Sequence, residues 1–588
     1  RRREFRKTRT VLQNIHQKLR QTGADKPGRS SGPANYVPSG VQCTFGSCPA
    51  NSAGVPYNQK RFCHGGLTPV AVLLLHNAFG TPIPMKTHVL DATLSWSAWK
   101  NLAEGPHPVV FSEEVWERVE QSYSFVQKLA QSPDRAYYGI NTGFGALYNV
   151  SIGPSDLAQL QLNLIRSHAC GTGQPVEAPL VRLMLLTKAL SLSYGHSGVA
   201  RTTVERLLAL YEADCLPVVY ERGSLGASGD LAPLSHLCLP LVGEGEVIYR
   251  GKRMPAADAL TALGWKPLVL GPKEGLALIN GTQFMLAHAL WLVVQGYTLG
   301  YWADVCAALS LDAFDGRIEP FDPRVHLARP QPGQAVVAER VREWLSGSPG
   351  PTRPKAHVQD PYSFRCVPQV HGASWDALGH LARTVSYELH SATDNPMVFA
   401  EEEEVISAGN FHGQPLALAM DFAAMALAEY GSISERRLYQ MVNGKRGLPA
   451  FLTPNPGLHS GLMIVQYAAA AVVSHNKQLC TPASVDSIES SASQEDHVSM
   501  GANAAVQAVQ VLNNVWDVLG MEWLAACQAL ELRDTPTSEL LQTLKDAFRT
   551  AVPFLNEDRI QAPDMAEATA FLKRIPVDDE RCFPALQQ

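Results

Sequence analysis

The residues whose types and spacing carry the most chemistry are Gly223-Ser224-Leu225-Gly226-Ala227-Ser228-Gly229-Asp230-Leu231-Ala232-Pro233-Leu234. Three common glycine-rich sites do not fit them. A phosphate-binding loop needs GxxxxGK[ST], and no lysine follows here. A dinucleotide fingerprint needs GxGxxG, whereas these glycines stand at 223, 226 and 229. A nucleophile elbow needs GxSxG, but Ser228 is followed at once by Gly229 and Asp230. Composition alone still allows a plain turn, because Ser and Gly favour turns. The chemistry open to Ala227-Ser228-Gly229 is more particular. In a tightly bent backbone the Gly229 nitrogen can attack the Ala227 carbonyl carbon, with no Cβ on Gly229 to obstruct it. Loss of one water closes an imidazolone ring, and loss of the Ser228 hydroxyl leaves an exocyclic methylene. The product, 4-methylideneimidazole-5-one, is an electrophile that no unmodified side chain supplies.

Other chemistry-bearing segments recur along the chain. They are Tyr138-Gly139-Ile140-Asn141-Thr142-Gly143-Phe144-Gly145, Asn280-Gly281-Thr282, Gln359-Asp360-Pro361-Tyr362-Ser363-Phe364-Arg365, Asp394-Asn395-Pro396, Gly409-Asn410-Phe411-His412 and Gln494-Glu495-Asp496-His497. Any one of these alone reads as a turn or a cap. In this order, from Met85 to the C-terminus, they resemble the histidine/phenylalanine/tyrosine ammonia-lyase family.

The resemblance implies a prosthetic group made autocatalytically from Ala227, Ser228 and Gly229, with no external cofactor and no metal. It implies that Tyr138 takes the β-proton, for which a tyrosine starting near pKa 10 needs a strong hydrogen bond or a lowered value. Arg365 is expected to grip the substrate carboxylate with its planar fork. Gln359, Tyr362 and Asn280 are expected to add hydrogen bonds, and Phe411 to pack beside the prosthetic group. Asp230 is read either as an aid to ring closure or as the cap of the helix that follows. Tyr138, Asn280, Tyr362 and Glu495 complete the expected catalytic set.

Substrate choice rests on two positions. Ser167-His168 resembles the pair in histidine enzymes, and Glu495 can pair with an imidazole, whereas a carboxylate facing a phenyl ring would gain little. Gly226 and Ala232 side with the same group. The expected activity is the deamination of L-histidine to trans-urocanate and ammonia, the first step of histidine degradation. Tyrosine or broad aromatic ammonia-lyase or aminomutase activity is the alternative, and a non-catalytic helical scaffold is the alternative of another class. His371 and Gly413-Gln414 depart from the pattern of histidine enzymes near segments expected to line the pocket.

These residues need elements to hold them. Apolar residues recur on a helical period at Val115 to Leu129, Leu157 to Ile165 and Val181 to Leu192, and Pro133 with Asp134 ends the first. Ala417 to Tyr430, Leu462 to Leu479 and Ala504 to Leu532 are apolar on most faces, as buried helices are. Strand signals are short: Val247 to Tyr249, and a hairpin carrying Glu401 to Glu404 between Val398-Phe399 and Val405-Ile406. Two long stretches rich in Gly and Pro, Tyr220 to Gly245 and Gly347 to Pro368, are expected to be functional loops. The expected fold is mainly α, an ammonia-lyase-like fold with a long central helical bundle. Residues 85–285 would form an N-terminal domain with the Ala-Ser-Gly loop, and residues 286–588 the bundle domain. Family membership further implies a homotetramer with active sites shared between subunits.

Composition sets the outer bounds. The net charge of −6 hides an asymmetry: residues 1–84 hold 12 Lys and Arg against Glu4 and Asp25, or +10, which leaves −16 for the rest. The first methionine is Met85, and residues 1–84 are expected to be a disordered or non-native extension. The longest apolar stretch, near Leu462 to Val473, falls short of the roughly 20 residues that cross a bilayer. Eleven cysteines without CxxC spacing suit free thiols in a reducing compartment. No nucleic-acid or membrane partner is expected, and a cytoplasmic location is.

Overall fold

Three long helices set the architecture of the protein, a computed structural model that describes residues 87–131, 136–143, 150–577 and 582–583. The expectation for residues 1–84 lies outside the described residues, as do Pro133, Asp134, Phe144 and Gly145. Pro84–Gln588 forms one compact unit. The three helices are Gln283–Ala313, Gln414–Val442 and Gly501–Arg533. None contains proline beyond its first turn, so every interior backbone hydrogen bond can form. Glycine lets them approach: a Cβ on Gly300 would stand 2.8 Å from the Tyr430 hydroxyl.

The three run parallel. At one end, Cβ atoms on Gly413 and Gly501 would each lie 2.4 Å from the Met285 sulfur. At the other end, Arg533 donates to the Ala313 carbonyl at 2.8 Å and to the Arg446 carbonyl at 3.0 Å. Ala313 lies 30 residues beyond Gln283, so the bundle is about 45 Å long at 1.5 Å per residue.

A buried ionic network ties the helices toward their C-terminal ends. Glu522 accepts from Arg437 at 2.5 and 2.8 Å, from Ser310 at 2.6 Å and from Ser434 at 2.5 Å. Removing one partner of such a pair costs about 3–5 kcal/mol, because it strands a buried charge. His371 belongs to this core rather than to a pocket wall. It is fully buried, bonds Asp304 through Nδ1 at 2.7 Å and meets the Tyr430 ring edge-on. Its departure from the family pattern therefore bears on bundle packing.

The expected helices form, with extended ends as Glu113–Ala130, Leu157–His168 and Ala178–Leu192, and one residue shorter as Met463–Leu479. The hairpin forms as Met397–Phe399 paired antiparallel with Glu404–Ile406. Three readings need correction. The stretch Tyr220 to Gly245 is not all loop, since its second half holds Leu231–Cys238 followed by the 3-10 turn Leu239–Val242. Pro233 is tolerated there because it stands in the first turn, where no backbone acceptor awaits its missing N–H. The stretch Gly347 to Pro368 likewise ends in helices, Tyr362–Arg365 and Val367–Leu389. Finally, Met463–Leu479 is not buried within the chain: only Val465, Ala469 and Asn476 are, while Ile464 and Tyr467 are each 61% exposed. Among the described residues one helix, Gln414–Val442, is long and apolar enough to cross a membrane, and 67% of its apolar window is buried in the bundle.

Candidate active site

The Ala-Ser-Gly loop rests against the parallel ends of the bundle helices and is held there by backbone bonds. The Leu225 carbonyl accepts from Met500 N at 2.8 Å, and the Gly226 carbonyl from the Ser499 hydroxyl at 3.0 Å. Ser224 accepts from Gly226 N at 3.0 Å and donates to the Gly229 carbonyl at 3.1 Å, which folds the loop back on itself. Gly229 has φ +74°, and a Cβ there would lie 2.1 Å from the Gly281 carbonyl oxygen. Only glycine fits so close to fixed backbone. Asp230 N donates to that same carbonyl at 2.7 Å. The loop is therefore pressed along Asn280-Gly281, and the Asn280 amide donates to the Ser228 carbonyl at 2.6 Å.

Asp230 stands at the start of the Leu231–Cys238 helix, but its carboxylate does not cap it. It accepts instead from Met285 N at 3.0 Å and thereby caps the long Gln283–Ala313 helix. Ser224 donates to its other oxygen at 3.2 Å. Burial pushes its pKa up to about 7 against the lowering effect of those donors.

Ser228 opens onto a cavity of about 1440 Å³. Its hydroxyl donates to Glu495 Oε1 at 2.5 Å, and Ser490 donates to Glu495 Oε2 at 3.0 Å. Ser491, Ala492 and Ser493 precede Glu495 with φ of +52°, +52° and +67°. Three successive non-glycine residues in this left-handed region cost about 1–2 kcal/mol each, strain typical of a site that must aim a side chain. On the facing wall, His168 Nδ1 lies 2.8 Å from the Leu164 carbonyl. A carbonyl only accepts, so Nδ1 carries a proton, and in the neutral ring Nε2 is an acceptor.

Tyr138, His168, Ala227, Ser228, Asn280, Phe411 and Glu495 all line this one cavity. Tyr138 sits on a tight turn closed by Ile140 N to the Tyr137 carbonyl at 3.1 Å and anchored by fully buried Ile140. Gln359, Tyr362 and Arg365 are elsewhere. Phe364 stacks flat on Phe314 at 4.5 Å, just past the far end of the Gln283–Ala313 helix, and Arg446 Nη1 donates to Asp360 at 2.5 Å. Asp230 caps the near end of that helix, so about 45 Å separates the two groups within one chain. Tyr362 is 71% exposed, and the Arg365 guanidinium lies 4.6 Å from its ring. No Lys or Arg stands among the lining residues of the cavity.

Two residues of the site were not singled out in the sequence. Ser490 steadies Glu495, and nothing in its local sequence distinguishes it. Lys188 donates to the Asn280 carbonyl at 2.8 Å from full burial. Its signal was a lone lysine in the apolar run Leu183-Met184-Leu185-Leu186-Thr187-Lys188-Ala189-Leu190.

The family model described as "Aromatic amino acid lyase" matches residues 94–550. The chain belongs to the aromatic amino acid lyase family. This lyase is 50% identical to a histidine ammonia-lyase of Deinococcus radiodurans over 481 residues, which cover 81% of this chain and 92% of that protein. It is 48% identical to one from Bacillus subtilis, covering 79% and 92%. Among solved structures, the histidine ammonia-lyase of Trypanosoma cruzi superposes with a TM-score of 0.77 at 39% identity, covering 83% of this chain and 93% of that one. The tyrosine aminomutase of Streptomyces globisporus gives 0.79 at 35%, covering 84% and 98%. The lyase is accordingly a carbon–nitrogen lyase of mainly α fold.

Proposed function

We propose that the protein removes ammonia from L-histidine to give trans-urocanate, using 4-methylideneimidazole-5-one formed from Ala227, Ser228 and Gly229. The observation that carries the proposal is the convergence of Ser228, Asn280, His168 and Glu495 on one cavity. The residues present fit the prosthetic group. Gly229 occupies a cradle that a Cβ would fill, its backbone is already bent to positive φ, and the Asn280 amide holds the carbonyl that becomes the ring carbonyl.

Such a group supplies an electrophilic methylidene that takes up the substrate amine and lets it depart. The chain's own residues do the rest. Tyr138 faces the cavity and removes the β-proton. His168 Nε2 accepts a ring N–H of the substrate, and the Glu495 carboxylate holds the other side of the imidazole. Glu495 is engaged by the Ser228 hydroxyl in the uncyclised loop, and that hydroxyl leaves as water on ring formation. Maturation thus frees the carboxylate for substrate. Asn280 steadies the Ser228 carbonyl, and Phe411 packs beside it.

Among the described residues no Lys or Arg lines the cavity, whereas Arg365 lies half-buried at the far end of the bundle. We assign Arg365, Tyr362 and Gln359 to the active site of a neighbouring subunit in a homotetramer. The solvent-facing apolar side chains Leu418, Phe422, Met425, Ile464 and Tyr467 supply a surface for that assembly. Residues 85–285 then contribute the electrophile, Tyr138 and His168, while 286–588 contribute Glu495, Phe411 and the carboxylate grip.

Incubation with His, Tyr and Phe separately tests the substrate, because each conjugated product has its own ultraviolet band. Urocanate is expected. Coumarate or a β-amino acid in its place would assign the tyrosine lyase or aminomutase reading instead. Intact-protein mass spectrometry tests the prosthetic group: a peptide spanning Ala227 to Gly229 that keeps both waters would leave only a helical scaffold.

A further inference from the structure

Lys188 touches the site and has been given no role, and its setting is costly. It lies on Ala178–Leu192, a helix whose residues from Leu180 onward are almost all buried, and is itself 1% exposed. Its ammonium donates to the Asn280 carbonyl at 2.8 Å and to the Gln283 carboxamide oxygen at 3.2 Å. Both acceptors are neutral. The carboxylate that acts on it most strongly, Asp394, is already bonded to the equally buried Lys273 at 2.5 Å and to Ser197 at 2.9 Å. The other ionisable groups that act on Lys188 are Asp230, Cys238 and Lys273. An ammonium taken out of water without a dedicated counter-ion is strongly penalised. Burial accordingly lowers its pKa to about 8. Groups held under such a penalty concentrate where their charge is used.

What the charge faces is Asn280. That residue is fixed on three sides: its N–H donates to the Leu276 carbonyl at 2.9 Å, its carbonyl receives Lys188, and its amide donates to the Ser228 carbonyl at 2.6 Å. The Asn280 Oδ1 atom is buried and has no partner, so the amide is oriented by the Ser228 contact alone. We propose that Lys188 is a positioning residue, whose buried positive charge fixes Asn280 and strengthens its pull on the Ser228 carbonyl oxygen, raising the electrophilicity of the group formed there. The electrons displaced when a nucleophile adds to the methylidene are drawn toward that oxygen. A pre-set donor backed by a cation in a site shielded from water stabilises such charge without reorganisation.

The inference rests on the prosthetic-group reading, and the two fail separately. If the parent protein keeps both waters, the prosthetic-group reading falls. If it loses them, Lys188 is tested with borohydride, which delivers hydride to the methylidene carbon while water supplies the proton; the uptake is read as mass. In Lys188→Met, borohydride uptake and kcat are expected to slow together by about tenfold or more, with KM nearly unchanged. Lys188→Gln keeps a donor for the Asn280 carbonyl without the charge and guards against misfolding of the Met variant; it is expected to be slow as well. A folded variant that stalls after losing one water supports the proposal too, because the second loss requires the Ser228 Cα proton, whose acidity the same carbonyl sets. A folded, mature variant of either kind that takes up borohydride at the parent's rate overturns it, whatever its activity.

Discussion

Replace Ser228 by Ala in one preparation and Arg365 by Met in another, and each alone is expected to be inactive. The first cannot form the electrophile. The second loses a charge-assisted, bidentate partner for the substrate carboxylate, a change worth about 2–5 kcal/mol, or roughly 30- to several-thousand-fold in kcat/KM. About 45 Å of helix separates the two positions in one chain, so in the proposed homotetramer each active site draws Ser228 from one subunit and Arg365 from another. If the two variants are co-expressed in equal amounts and assemble at random, half of all Ser228 positions and half of all Arg365 positions are intact. The two choices are independent, so about a quarter of the sites carry both and activity returns to about a quarter of the parent's. The assay is urocanate formation by the mixed, co-purified tetramer, with chain ratios checked by mass spectrometry. No recovery in a tetramer shown to contain both chains would refute the division of the site.

Three further outcomes follow from the same geometry. Glu495→Gln should lower kcat/KM for histidine by about tenfold or more while leaving the loss of two waters intact, since the charge paired with imidazole goes but the cyclising residues stay; unchanged histidine kinetics would remove Glu495 from substrate recognition. Gly229→Ala puts a methyl 2.1 Å from the Gly281 carbonyl and adds a positive-φ cost of about 1–2 kcal/mol, so the loop should open and the mature mass should not appear; a variant that matures normally would contradict the cradle. Asp230 carries a pKa raised to about 7 against about 3.9 in the unfolded chain, so folding favours its neutral form. Its contribution to stability is greatest below about pH 4, falls as pH rises to about 7 and is flat beyond. Urea unfolding should show that this fall is absent in Asp230→Asn, and an identical fall in the variant would clear Asp230 of responsibility.

The sequence disclosed the chemistry more fully than the scaffold. Ala227, Ser228, Tyr138, His168, Asn280, Phe411 and Glu495 each stand in a short segment whose residue types constrain a reaction, and all seven meet in one cavity. The Gln283–Ala313 helix was not anticipated, although it is one of the three long struts beside the site. It is buried on all faces, so it lacks the amphipathic period that reveals a helix. Asp230 could be read as a cap, but which helix it caps depends on a fold-back that brings Met285 beside it. Lys188 was passed over for a similar reason: a single charged residue in an apolar run acquires meaning only when its acceptor, 92 residues away, is known. The exposure of Met463–Leu479 carries the opposite lesson, since an apolar sequence says that a face will be covered without saying by which chain.

The parallel run of the three long helices has a genetic consequence. Each subunit carries, at its two ends, components assigned to different active sites. In the proposed homotetramer, two defects in one chain, such as a lost Glu495 and a lost Arg365, therefore damage two separate reaction centres. Split between two chains, the same defects can fall on a single centre and spare others. The effect of a pair of mutations thus depends on whether they are inherited on the same copy or on opposite copies. In this protein, linkage between alleles is an arrangement in space about 45 Å long.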